Sequence, residues 1–220
     1  MTPSPDAWGR AWRDLGAETV DPSLHGTLLA CWREPHRHYH TEQHLRECLE
    51  QLDAARDDAE RPAEVALALW FHDAIYDPQA VDNERRSAEW ARQSVLRAGL
   101  PDAVAQRIAS LVLATQHGAI SPGPDPDAEL LLDIDLSILG APPVRFDEYE
   151  RQVRAEYAHL DEASWRAGRA RVLQAFLDRP RLYATERFHA AREAQARANL
   201  AQSLGRLSPG SAAPPGAPAA

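Results

Sequence analysis

The sequence predicts an all-α fold, and three observations carry that expectation. Apolar residues recur at spacings of three and four through most of the chain, the period of a helix with one buried face. Period-two alternation of useful length, the mark of a half-buried strand, is missing, and so is any internal repeat. Pro, Gly and Asp interrupt the apolar stretches where helix starts and stops are expected.

Each element follows from these signals. Residues 5–17 and 21–34 read as two short helices divided by Asp21-Pro22, with Pro in the first turn of the second. Residues 40–56 carry Leu45, Cys48, Leu49 and Leu52 on one face. Arg61-Pro62-Ala63-Glu64 opens a helix running through Val65, Leu67, Leu69, Trp70 and Phe71 to His72-Asp73. It is apolar on nearly every side, so it belongs in the centre of the fold. Tyr76-Asp77-Pro78 breaks the pattern, and a helix resumes near Asn83 and ends at Gly99, a residue suited to a C-terminal cap. Pro101-Asp102 starts the next, which Val104, Ile108, Leu111 and Val112 carry to His117-Gly118. After a Pro-rich loop at 121–126, residues 127–139 are helical and apolar around Asp133 and Asp135, and Gly140-Ala-Pro-Pro ends them. Three more helices are expected at 146–159, 162–178 and 183–205.

The length of 220 residues suits one helical domain, 1–206, followed by a Pro/Ala-rich tail at 207–220 expected to be disordered. A formal net charge of -9 argues against long nucleic acids, which need clustered Lys and Arg to neutralise phosphates. There is no lysine, so every fixed side-chain cation is an arginine. Cys31 and Cys48 form no CxxC pair, which argues against a disulfide framework and a cysteine-rich zinc site. The first residues lack the features of a secretion signal, and no apolar run reaches the ~18 residues of a membrane span. A cytoplasmic protein without membrane contacts is the expectation.

The stretch Ala-Leu-Trp-Phe-His72-Asp73-Ala-Ile-Tyr-Asp carries the chemistry. It sets an imidazole beside a carboxylate in apolar surroundings, where each is costly to bury without a partner. A metal ion would partner both. Adjacent residues on a helix point about 100° apart, so other helices must supply the remaining ligands. The chain offers His36, His38, His40 and His44 upstream, and His117, Asp133 and Asp135 downstream. His40 and His44, four apart, are expected on one helical face. A His/Asp set suits Mn, Fe, Co, Ni or Zn better than Mg alone. Against each functional reading stands a plainer one. His72-Asp73 would otherwise be a structural pair, Glu84 a first-turn acid favoured by the helix dipole, and His117 a C-terminal cap. Trp70 and Phe71 are expected to be core. Arg85, Arg86 and Arg154 are phosphate-binding candidates or simply solvated.

Five stretches carry a resemblance: Arg37-His-Tyr-His40-Thr-Glu-Gln-His44, Trp70-Phe-His72-Asp73-Ala-Ile-Tyr-Asp, Asp82-Asn-Glu84-Arg-Arg-Ser-Ala, Ala114-Thr-Gln-His117-Gly and Asp133-Ile-Asp135-Leu-Ser-Ile-Leu-Gly. Val153-Arg154-Ala-Glu-Tyr157 and Ala196-Arg-Ala-Asn199-Leu add to it. The chain resembles the HD superfamily of metal-dependent phosphohydrolases, in particular a little-characterised bacterial branch. That resemblance implies an HD-like helical bundle with a metal between helices. Its ligands would be His40, His72, Asp73 and Asp135, with His44 competing for the first place and Asp133 for the last. It further implies Glu84 and Asp73 as proton acceptors, and His44, His117 and Arg37 as residues for a second metal or the substrate. The implied substrate is a nucleotide or another small phosphate ester or anhydride. The alternative is a regulatory protein of the same fold that binds a nucleotide or metal without hydrolysis; oxidative di-iron chemistry is a more distant third.

Overall fold

The computed structural model describes residues 5–116 and 125–207. His117 and the 208–220 segment, for which a ligand role and a disordered tail were expected, lie outside the described residues. Within them the chain forms ten α-helices and no strand. These are α1 (Pro5–Asp14), α2 (Leu24–Trp32), α3 (Glu42–Ala54), α4 (Pro62–Phe71), α5 (Asn83–Arg97), α6 (Asp102–Ala114), α7 (Pro126–Asp135), α8 (Pro143–Glu156), α9 (Glu162–Leu177) and α10 (Glu186–Leu207). Short 3₁₀ turns occupy Arg56–Asp58 and Leu136–Gly140. None of these helices is long and apolar enough to cross a membrane.

The hydrophobic α4 is the hub, with α1, α3, α5, α6 and α7 packed around it. Every residue from Ala63 to Phe71 except Ala66 is buried, as its all-round apolar sequence requires. Trp70 and Phe71 are core residues: Trp8 meets Trp70 edge-on at 5.1 Å between ring centroids. Trp32 of α2 donates its indole N–H to the Trp70 carbonyl at 3.2 Å, satisfying a group near the helix end.

Several boundaries differ from the sequence expectation, and two of them matter for the site. First, α3 begins at Glu42, because the Thr41 side chain accepts the Gln43 N–H and caps the helix. His40 therefore precedes the helix, and the expected shared face with His44 does not exist. Second, α4 ends at Phe71, leaving His72 as its C-cap and Asp73 beyond it. The remaining shifts are one to four residues. Thus α8 starts at Pro143, where a proline at the first turn is favourable.

Candidate metal centre

Three segments distant in sequence meet beside the end of α4. His44 projects from the first turns of α3, His72 and Asp73 follow the last turn of α4, and Asp135 closes α7. His44 Nε2 lies 3.1 Å from His72 Nε2, 3.1 Å from Asp135 Oδ1 and 3.7 Å from Asp73 Oδ2. His72 Nε2 lies 3.0 Å from Asp73 Oδ2 and 3.5 Å from Asp135 Oδ1. Cys48, one turn after His44, brings its Sγ within 3.7 Å of the His44 ring. One ligand atom each from His44, Cys48, His72 and Asp135 all fall within 4.8 Å of one another, and all four residues are buried.

These spacings are those of a coordination shell. Ligands at about 2.0–2.1 Å from an ion stand about 3.3 Å apart in a tetrahedron and about 3.0 Å apart in an octahedron. The five measured separations among the nitrogens and carboxylate oxygens run from 3.0 to 3.7 Å. The His72 ring is also set for ligation. Its Nδ1 is 2.8 Å from the Leu69 carbonyl, which can only accept, so Nδ1 carries the proton and Nε2 turns to the cluster. The buried His–Cys–His–Asp cluster, with Asp73 beside it, can thus hold a metal ion.

Charge supports the same conclusion. Burial raises the Asp73 and Asp135 carboxyls, but the imidazoles around them outweigh it and hold both below the usual range. Burial lowers His72, yet Asp73 and Asp135 drive it well above its ordinary value. The cluster is an electrostatic well that draws in a cation, proton or metal. The Cys48 thiol goes the other way. Burial, reinforced by Asp135 and Asp73, raises it well above its ordinary value, which favours the neutral S–H over the thiolate that binds metals.

His40 stands outside the converging group. Its Nδ1 is 2.7 Å from Glu156 Oε2 and its ring stacks on Tyr76 with centroids 4.1 Å apart. Glu156 collects four further donors: the N–H groups of His38, Tyr39 and His40 at 2.7–2.9 Å, and the Tyr76 hydroxyl at 2.8 Å. Burial opposes ionisation of Glu156, but these partners hold its pKa down to about 2. Against its own burial, His40 is raised by Asp73 and Glu156. It lines the cavity, and its partners favour its protonated form.

Arg37 has a structural task. It donates to the carbonyls of Asp73 at 2.6 Å, Ala74 at 3.1 Å and His40 at 3.3 Å, and to Glu34 at 3.0 Å. Its side chain is fully buried. A guanidinium just past the end of α4 satisfies carbonyls of the turn that follows it and complements the helix dipole. It fixes the turn bearing His72 and Asp73 and offers nothing to a substrate. Asp133, the competitor of Asp135, instead accepts from the N–H groups of Ala184 and Thr185 at 2.8 and 2.7 Å, and from the Thr185 hydroxyl. It anchors the approach to α10.

Asp73 and Asp135 line a cavity of about 540 Å³, and so do His40 and Glu84. His36, His38, Arg85, Arg86 and Arg154 lie outside its lining. Glu156, Tyr76 and Cys48 are residues to which the sequence reading gave no part. Cys48 had a signal, standing four residues after His44 on one helical face; Glu156 had none.

No family model, no curated protein and no solved structure matches this chain.

Proposed function

We propose that the protein is a metal-dependent phosphohydrolase of the HD type its motifs resemble, acting on a small phosphate ester or anhydride such as a nucleotide. The observation that carries this reading is the convergence of His44, His72, Asp73 and Asp135 at ligand spacing, with Asp73 and Asp135 on the wall of a cavity large enough for a small molecule. His44 takes the place that the motif resemblance gave to His40, because its ring nitrogen is the one that meets His72 and Asp135. The mixed nitrogen and oxygen donors suit Mn, Fe, Co, Ni or Zn, with Mg the weaker match. When bound, such an ion supplies Lewis acidity that acidifies a water and polarises a phosphoryl oxygen.

The chain's own groups do the rest. Glu84 lines the cavity and can accept the proton of an attacking water, while Asp73, which the imidazoles hold below the usual carboxylate range, serves as a ligand and a weaker acceptor. His40, oriented through Nδ1 by Glu156, sets a positive charge against the phosphoryl group and can pass a proton to the departing oxygen. Trp32 and Tyr39 pack against the imidazoles of the cluster and limit water behind it.

Phosphate release from a panel of phosphate esters and anhydrides, run with each metal in turn, tests this. Wild type should turn over at least one compound in a metal-dependent way. His44→Ala and Asp73→Ala should lose at least about 100-fold in rate together with bound metal. His40→Ala should lose rate while keeping its metal. Stoichiometric metal with no phosphate released across the panel would replace the hydrolase by the regulatory reading.

A further inference from the structure

The cavity that reaches Asp73 and Asp135 is much larger than a phosphoryl group needs, and its α8–α9 side has a different chemistry. That side consists of Tyr149, Val153, Tyr157, Trp165, Val172 and Phe176, contributed by α8, the turn after it, and α9. Tyr157 and Trp165 lie with ring centroids 5.7 Å apart at 35°, giving an aromatic corner. The one arginine of the lining, Arg169, carries no free charge into this space. It is ion-paired with Glu150 and lies over the Tyr149 ring at 5.1 Å.

Part of the rim is apolar as well. Val81 and Val172 are 89% and 45% exposed, and both belong to this cavity. Apolar groups left in water at the lip and along the wall of a polar-ended cavity mark a place that a ligand covers. Gly168 faces the same space on α9, and a Cβ built there meets no atom within 4 Å.

We propose that the phosphate compound bound at the cluster carries an uncharged aromatic body, and that the α8–α9 chamber selects it through Trp165, Gly168, Val172 and Phe176. This rests on the phosphohydrolase reading for the position of the phosphate. The chamber shares one cavity with Asp73 and Asp135, so what fills it is joined to what the cluster holds. With Arg169 neutralised, a second anionic group gains nothing there, whereas a planar apolar group buries its faces against rings. A highly hydroxylated body would lose its water with few partners in return.

The test is direct binding by the full-length, metal-loaded protein of two phosphonates whose carbon–phosphorus bonds resist hydrolysis, 1-naphthylphosphonate and methylphosphonate. Titration calorimetry should show the naphthyl compound binding at least about tenfold more tightly. Gly168→Leu fills the chamber from a helical position with open space around it, where leucine is a better helix former than glycine. It should cut the preference to about threefold or less and leave methylphosphonate affinity unchanged. Val172→Asn, which places a neutral polar group on a half-exposed wall position, should do the same by a different route. Equal affinity for the two compounds in wild type overturns the inference alone, as does a preference that survives both variants. Binding of neither compound overturns it together with the hydrolase reading. Naphthyl preference without phosphate release from any ester sinks only the hydrolase reading.

Discussion

Glu156 is a buried carboxylate with five donors converging on its two oxygens. Removing it strands the N–H groups of residues 38–40 and the His40 imidazole without their shared acceptor. Glu156→Ala should therefore cost about 3–5 kcal/mol of unfolding free energy, read as a lower urea midpoint at pH 7. Its titration has a definite sign. The folded pKa of about 2 lies below the ordinary 4.5, so its stabilisation is complete above pH 4.5 and drains away as pH falls from 4.5 towards 2. Urea midpoints measured between pH 7 and pH 3 should drop more steeply for wild type than for Glu156→Gln; parallel curves would refute this role. The sequence could not announce Glu156. It sits in a charged helix like many other acids, and its partners lie 80–118 residues away. His44 was legible as a candidate but not separable from His40, because a spacing of four means a shared face only when both residues are helical. The decision lay with Thr41, whose hydroxyl starts the helix between them.

The helices themselves were readable, because their apolar period and their Pro and Gly punctuation act locally. What holds one helix to another was not, since charges alone give no partner. Arg107 of α6 shows the difference. Its guanidinium reaches Glu64 of α4 at 2.7 Å, Asp125 at 2.9 Å and Asp127 of α7 at 2.7 Å. Asp127 in turn accepts the N–H groups of Glu60 and Arg61 at the start of α4. One cation thus fixes three acids and aligns the two helices whose far ends carry His72 and Asp135. Arg107→Met leaves those acids unpaired and should lower the urea midpoint by the equivalent of about 3–5 kcal/mol. A loss within about 0.5 kcal/mol would show that the acids find other partners. The 3₁₀ turn after Asp135 is held just as closely. A Cβ on Gly140 would stand 2.6 Å from Arg192 Cβ and 2.9 Å from the Arg192 carbonyl oxygen on α10. Neither atom is the tip of a flexible chain, so Gly140→Ala should cost about 1–3 kcal/mol by equilibrium unfolding. In the sequence Gly140 reads as a helix stop; its contact with α10 is tertiary and leaves no local trace.

At the scale of the whole molecule, the donor atoms of the cluster come from residues 44, 72, 73 and 135, so they meet only in the folded chain. An ion held there links α3, the end of α4 and the end of α7, and binds the native state in preference to the unfolded one. Its free energy of binding then appears as stability. At a hundredfold excess over Kd this amounts to about 2.7 kcal/mol, or a rise of about 5–10 °C in Tm for a chain of this size. Thermal scans with Mn, Fe, Co, Ni or Zn should show that rise and a chelator should reverse it. The variants need care, because removing a buried carboxylate or imidazole also relieves the desolvation and repulsion of the ion-free cluster. Asp135→Asn or His44→Ala can therefore melt at or above the wild-type temperature without metal. The quantity to compare is the ion-induced shift in each protein. It should vanish in His44→Ala, His72→Ala and Asp135→Asn and persist in His40→Ala, whose nitrogen already serves Glu156. A shift retained in Asp135→Asn and lost in His40→Ala would move the metal from the α3–α4–α7 junction to the His40 side of the cavity, and the roles assigned to those residues would have to be exchanged.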